Sequence, residues 1–218
     1  MANVIKLRKG LDVNLKGKAA KEEFQVKKPA VYALMPDDFT GMKPKVVVKE
    51  NDVVKVGDAL FVDKNHPEIK FVSPVSGRVT MVERGDRRKV LSVRVEADAE
   101  LQYVDFGKKS AGQMTAQEVK ALLLESGLFA FFKQRPYDVT ANPTDTPKAI
   151  FVSAFNSMPL AADFEYVLRG READFQAGLD ALAKMAKTYL GVSSKQTATA
   201  LTAAKNVEIN FFDGPAPA

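Results

Sequence analysis

Val53-Val54-Lys55-Val56-Gly57-Asp58-Ala59-Leu60-Phe61-Val62-Asp63-Lys64, with Ile69-Lys70-Phe71-Val72-Ser73-Pro74-Val75-Ser76-Gly77-Arg78-Val79 after it, decides the fold of the first half of this 218-residue chain. Ala59 to Val62 and Ile69 to Val72 are apolar, β-branched or aromatic runs of strand length. Val56-Gly57-Asp58 and Pro74-Val75-Ser76-Gly77 supply glycine where a tight turn needs positive φ, and proline where a strand must end. Outward from this stretch, Lys45-Val46-Val47-Val48, Gly77 to Val82 and Val90 to Val95 repeat the pattern. Tyr32 to Glu96 therefore reads as a small all-β domain.

The pattern then changes. Thr115-Ala116-Gln117-Glu118 is a capping box, in which the threonine hydroxyl and the glutamate carboxylate each satisfy a free backbone N–H. Val119, Leu122 and Leu123 with the stop Ser126-Gly127 complete a short amphipathic helix. Beyond the polar, proline-bearing stretch 142–147, Ala149 to Ala154 reads as a buried strand. A helical region runs from Leu160 to Lys187 with a break at Arg169-Gly170. Its stripe of Phe164, Val167, Leu168, Phe175, Leu179, Leu182 and Met185 has core spacing. A strand over Thr188–Val192, a helix over Thr197–Ala204 and a strand over Val207–Phe212 complete an alternation that predicts a parallel α/β layer.

Composition excludes much chemistry. The chain has no cysteine and a single histidine, His66. Disulfides, thiolate-held clusters, thiol nucleophiles and multi-histidine metal sites are thereby ruled out, and no metal site is expected. His66 reads as a solvent-facing loop residue rather than a ligand or base. The net charge of +5 is spread over 32 basic and 27 acidic residues, and no basic stripe interleaved with aromatics points to nucleic acid. Arg84, Arg87, Arg88 and Lys89 around Gly85-Asp86 read as a solvated turn, with an anionic contact as the alternative. The opening residues turn charged before any apolar stretch of secretory length, which places the chain in the cytoplasm. Its longest apolar runs fall far short of the roughly 20 residues that cross a bilayer as a helix, so no transmembrane segment is expected.

The glycine-aspartate turn, the hairpin and the Pro-x-x-Gly corner together resemble the biotinyl/lipoyl-type hybrid barrel. In carrier members the hairpin tip displays Asp-Lys, and Asp63-Lys64 fall there, which makes Lys64 a candidate modification site. Against that, Asn65-His66-Pro67-Glu68 lengthens and stiffens the tip, and a plain structural turn is the other reading.

Two end motifs widen the resemblance. Ile5-Lys6-Leu7-Arg8-Lys9-Gly10-Leu11-Asp12-Val13-Asn14-Leu15-Lys16-Gly17 and Phe211-Phe212-Asp213-Gly214-Pro215-Ala216-Pro217-Ala218 are similar to segments of the A-subunit family of sodium-translocating NADH:quinone oxidoreductases. The match stops where that second segment would give its next glycine, so a chain cut short at its C-terminus is expected. The resemblance implies a multidomain α+β architecture: an N-terminal segment (1–28), a biotinyl/lipoyl-like barrel hybrid (29–108) and a Rossmann-like α/β domain (109–218). It implies kinship with the flavin-bearing NADH-oxidising subunit of complex I and with the membrane-associated C-subunit of the Rnf complex. It also implies an accessory subunit of a bacterial sodium-pumping, NADH-oxidising translocase, peripheral on the cytoplasmic side of the inner membrane, docked to the redox-bearing subunits. Its relatives place a glycine-rich loop after a helix so that bare backbone meets flavin and nucleotide phosphates. Here Leu128-Phe129-Ala130-Phe131-Phe132-Lys133-Gln134-Arg135-Pro136-Tyr137 occupies that place. This argues against FMN or NAD binding, and with no catalytic residue evident, no cofactor is expected on this chain. The same stretch is the candidate quinone contact: Phe129, Phe131 and Phe132 as apolar walls, with Lys133, Arg135 and Tyr137 as donors to carbonyl oxygens. Ubiquinone is the quinone expected for the full subunit. A core-packing segment with a basic edge is the competing reading.

Overall fold

The computed structural model describes residues 4–13, 15–17, 19–107 and 109–216. Asn14 of the first end motif, Pro217 and Ala218 of the second, the opening Met1-Ala2-Asn3 and the expected barrel boundary at Lys108 lie outside them. In chain order the elements are β1 (Val4–Lys6), β2 (Val31–Leu34), β3 (Pro44–Val46), β4 (Val53–Val54), β5 (Ala59–Asp63), β6 (Lys70–Val72), β7 (Gly77–Arg84) and β8 (Val90–Ala97). There follow α1 (Ala116–Glu125), β9 (Lys133–Gln134), β10 (Val139–Thr140), β11 (Ile150–Ser153), α2 (Phe164–Leu168), α3 (Glu172–Met185), β12 (Thr188–Ser193), α4 (Thr199–Thr202) and β13 (Glu208–Asp213).

Two compact units result. One gathers Val26–Lys108 and Lys120–Thr146, the other Met1–Gln25, Lys109–Val119 and Pro147–Ala218. The chain therefore interleaves, where its sequence suggested breaks at 28 and 108. Residues 1–25 join the α/β unit because β1 pairs with β13, and 120–146 join the barrel because Phe129 and Ala130 belong to its core.

In the barrel unit, a sheet of order β2-β8-β7-β4 faces a second of order β3-β5-β6, with every pairing antiparallel. Leu60 and Phe61 are neighbours on β5, and neither is exposed at all. The β5–β6 register shifts between Ala59 and Phe61, and both Leu60 and Phe61 enter the same core. Phe71, Ile69, Val79, Val93 and Val95 complete the centre. The corner before β7 is held by two buried serines. Ser73 Oγ donates to the Val75 carbonyl at 2.6 Å, and Ser76 Oγ donates to Asp98 at 2.9 Å while accepting the Gln102 N–H. The basic turn at 84–89 is exposed, with Lys89 paired to Asp37 at 2.7 Å.

In the α/β unit four parallel strands lie in the order β1-β13-β12-β11. Leu179 of α3, Leu201 of α4, and Phe164 and Leu168 of α2 pack with Val152, Leu190, Val192, Ile209 and Phe211 of the sheet. The capping box forms as its sequence requires. Thr115 N–H donates to Glu118 at 2.9 Å and Glu118 N–H to Thr115 Oγ1 at 3.3 Å. The helix break falls at Gly170, whose φ is +75°. Three expectations change. The strand at Ala149–Ala154 is an edge strand with Phe151 76% exposed, rather than a buried one. Val167 of the core stripe is exposed because α2 ends one residue later. The helix expected over 197–204 is a single turn.

The two end motifs meet. Leu7 N–H donates to the Asp213 carbonyl and Leu11 N–H to that of Ala216, both at 2.8 Å, and Ala216 N–H donates to Asp12 Oδ1 at 2.9 Å. Gly10 has φ +135°, a region open to glycine alone, and a β-carbon there would fall on the Ala216 carbonyl. The segments that carry the family resemblance are a clasp that lays β1 along the sheet.

Candidate functional site

Gly127 builds the aromatic segment. It ends α1 in the left-handed conformation at φ +77°, and an added β-carbon would sit 2.6 Å from Val72 Cγ1. The chain can thus turn tightly against β6 and enter a 3-10 turn over Leu128–Phe131. At three residues per turn, positions 129 and 132 fall on one side and 131 on another. Phe129, 4% exposed, stacks on Phe132 with centroids 5.4 Å apart, and both belong to the barrel core. Phe131 is 70% exposed and forms a T-shaped pair with Phe39, centroids 6.1 Å apart. Phe39 in turn lies 4.5 Å from Phe71, so the exposed ring is seated on core aromatics. Sequence reasoning missed Phe39, which lies 92 positions before Phe131 and carries no local signal.

The hairpin of β9 and β10 continues from that turn. Val139 pairs with Gln134 and Thr140 with Lys133. The Thr140 N–H donates to the Thr40 carbonyl at 2.9 Å, and the Asp138 N–H to that of Gln134 at 2.9 Å. Its tip, Arg135 to Asp138, is open to solvent. Tyr137 is 75% exposed, Lys133 is exposed, and the Arg135 guanidinium lies 3.5 Å from Asp138. The six candidate residues therefore divide. Phe129 and Phe132 are committed to packing, whereas Phe131, Lys133, Arg135 and Tyr137 form an exposed aromatic and cationic hairpin.

The hairpin tip after β5 is tightly tied. Asp63, 5% exposed, accepts from the N–H groups of Lys43 at 3.2 Å and Asn65 at 3.0 Å. The Lys64 N–H donates to the Lys43 carbonyl at 2.7 Å, while its side chain is exposed. The tip closes with the Ile69 N–H on the His66 carbonyl at 2.9 Å. His66 Nδ1 lies 3.9 Å from Glu68, loosely placed at the surface. Among the described residues no group of three or more acidic or imidazole side chains gathers into a metal site. No helix among them is long and apolar enough to cross a membrane. A cavity of about 270 Å³ lies in the α/β unit between Leu168, Arg169 and Thr199, and none of the candidate residues lines it.

The sequence is similar to known proteins along nearly its whole length. Residues 5–98 match the family described as the NqrA N-terminal barrel-sandwich hybrid domain, and residues 114–218 the NqrA second alpha/beta domain. The A-subunit of the Na(+)-translocating NADH-quinone reductase of Yersinia pseudotuberculosis is 35% identical over 221 residues. That of Vibrio vulnificus is 36% identical over 218 residues and that of Pseudomonas aeruginosa 34% over 219. Each alignment takes in 99% of this chain, which spans about half the length of these relatives. That kinship does not favour the carrier reading of Lys64. With both domain types present in the family's order and the likeness running from end to end, the chain belongs to the NqrA family, as its N-terminal barrel-sandwich hybrid and second α/β domains.

Proposed function

We propose that this chain is a docking part of a sodium-translocating NADH-quinone reductase. It sits peripherally on the cytoplasmic side of the membrane against the redox-bearing subunits, holds no flavin, nicotinamide or metal of its own, and offers the β9–β10 hairpin to quinone. The observation that carries the quinone reading is the split of the aromatic segment. Phe129 and Phe132 anchor it in the core, and this leaves Phe131 and Tyr137 70% and 75% exposed beside two cations. Large aromatic rings left open on a fixed hairpin are sites where an apolar partner gains binding energy. Tyr137 and Arg135 supply donors for quinone carbonyl oxygens. The hairpin alone is a surface rather than a slot, so the reading includes a second wall contributed by a neighbouring component of the reductase.

The test is photo-crosslinking with an azido-ubiquinone in the assembled reductase carrying this chain's residues. Label is expected on 131–137 and is expected to fall several-fold in Phe131→Ala and Tyr137→Ala. Label confined to other segments, or undiminished in both variants, overturns the quinone reading.

A further inference from the structure

The α/β sheet has a face on which none of α2, α3 and α4 packs. From β11 to β12 to β13 the chain steps twice in the same direction across the sheet. Right-handed crossovers taken in one direction put their helices on one side, and α2, α3 and α4 indeed share one core against Val152, Leu190, Val192 and Phe211. The alternate residues of the same strands point the other way. Register places Phe151 beside Tyr189, Gly191 beside Asn210, and Phe212 beside Ser193 and Ile5.

That second face is an aromatic layer. Phe151 stacks on Tyr189 with centroids 5.2 Å apart, and Phe155 stacks on Phe212 at 5.4 Å. Between the two pairs Gly191 leaves room for the Phe212 ring, since a β-carbon there would come within 3.1 Å of it. Phe151 remains 76% exposed, and Tyr189, Phe155 and Phe212 are half-buried. At the rim, Lys187 pairs with Glu208 at 2.8 Å and lies 4.8 Å over the Tyr189 ring. Parallel sheets are found with both faces covered, so an aromatic layer on the open one calls for an apolar cover.

We infer that this face is the seat of an amphipathic helix from the part of the family's chain that follows the second domain. The relatives are about twice as long as this chain, and the matched domains are named as their N-terminal and second ones, so such a part exists in them. A helix is the cover that suits the layer, as helices cover the opposite face and the rim already supplies both charge signs. The inference rests on family membership and is independent of the quinone reading.

Hydroxyl-radical footprinting tests it, on the 218-residue chain and on the same chain extended by the following half of the Yersinia pseudotuberculosis relative. Labelling of Phe151 and Tyr189 is expected to fall several-fold in the extended chain. Phe131 and Tyr137 should label alike in both, and Phe61 and Phe71 should stay unlabelled as a check of folding. Equal labelling of Phe151 in the two forms overturns the inference. So does protection of Phe151 in the short chain that grows with concentration, which would assign the face to a second copy. As a second measurement, Phe151→Ser should lower the melting temperature of the extended chain and leave that of the short chain unchanged; equal effects on both overturn it.

Discussion

Replacing Gly10 by alanine should unfasten the N-terminal strand and leave the rest of the protein intact. At φ +135° the new side chain is strained whatever the space, and its β-carbon falls on the Ala216 carbonyl, so that the Leu11 to Ala216 hydrogen bond at 2.8 Å cannot survive. The backbone strain is worth about 1–3 kcal/mol and the lost hydrogen bond about 1 kcal/mol, together about 2–4 kcal/mol. β1 has three residues, all exposed, so little else holds it to β13. The cost should therefore appear as local opening rather than global unfolding. At tenfold per 1.4 kcal/mol, exchange of the Leu7 and Leu11 amides should rise by roughly thirty- to several-hundredfold, up to the rate of a free amide. Hydrogen exchange read by mass spectrometry on peptides covering 4–12 and 208–216 would register this, with peptides of β5 as the reference. Unchanged protection at Leu7 and Leu11 would refute the clasp, and so would equal loss of protection in β5.

Further outcomes follow from single contacts. Phe129→Ala should cost about 3–5 kcal/mol in urea unfolding, because a ring 4% exposed and stacked on Phe132 leaves a cavity, whereas Phe131→Ala should change stability by under about 0.5 kcal/mol. Asp63→Ala leaves the Lys43 and Asn65 N–H groups without their acceptor and should cost about 1–3 kcal/mol, while Lys64→Ala should be neutral in the same measurement. The Thr115 backbone N–H, then the Lys109 ammonium, hold the Glu118 carboxyl down to about 2 from an ordinary 4.5. A depressed folded-state value stabilises above the ordinary one, and that stability is lost as pH falls from 4.5 towards 2. Glu118→Gln should therefore weaken amide protection in α1 at pH 7 and match the unsubstituted chain at pH 2, and equal protection at pH 7 would show that the box does not hold the helix.

What the sequence showed of the fold depended on how local the cause was. The turn at Val56-Gly57-Asp58, the Pro-x-x-Gly corner and the capping box each specify their backbone within a few residues, and β5 to β8 and α1 lie where those signals put them. β1 was illegible because Val4-Ile5-Lys6 is short, exposed and paired with a strand about two hundred positions away. The exposure of Phe151 was hidden for a related reason, since an apolar run looks the same at the centre and at the edge of a parallel sheet, and only topology decides between them. The aromatic segment was half legible. Its composition marked it, but the division between Phe129 and Phe132 inside and Phe131 outside required knowing that Gly127 starts a 3-10 turn of period three rather than a strand of period two.

The motifs that mark the family and the surfaces able to carry its work are different residues. Lys9-Gly10-Leu11-Asp12 and Asp213-Gly214-Pro215-Ala216 are spent on closing β1 over the sheet, through backbone groups and one carboxylate whose partners are all internal. The barrel's glycine-aspartate turn and serine-pinned corner are spent in the same way, and the Asp63 carboxylate that would flank a carrier lysine is turned inward onto backbone N–H groups. Groups so engaged cannot also recognise a partner without giving up the fold. What remains exposed is defined by topology: the hairpin that follows Gly127, with Phe131 and Tyr137, and the sheet face away from α2, α3 and α4, with Phe151. Substitutions on those two surfaces should therefore separate from the motif substitutions in kind, leaving the 218-residue chain's melting temperature unchanged while altering what it binds.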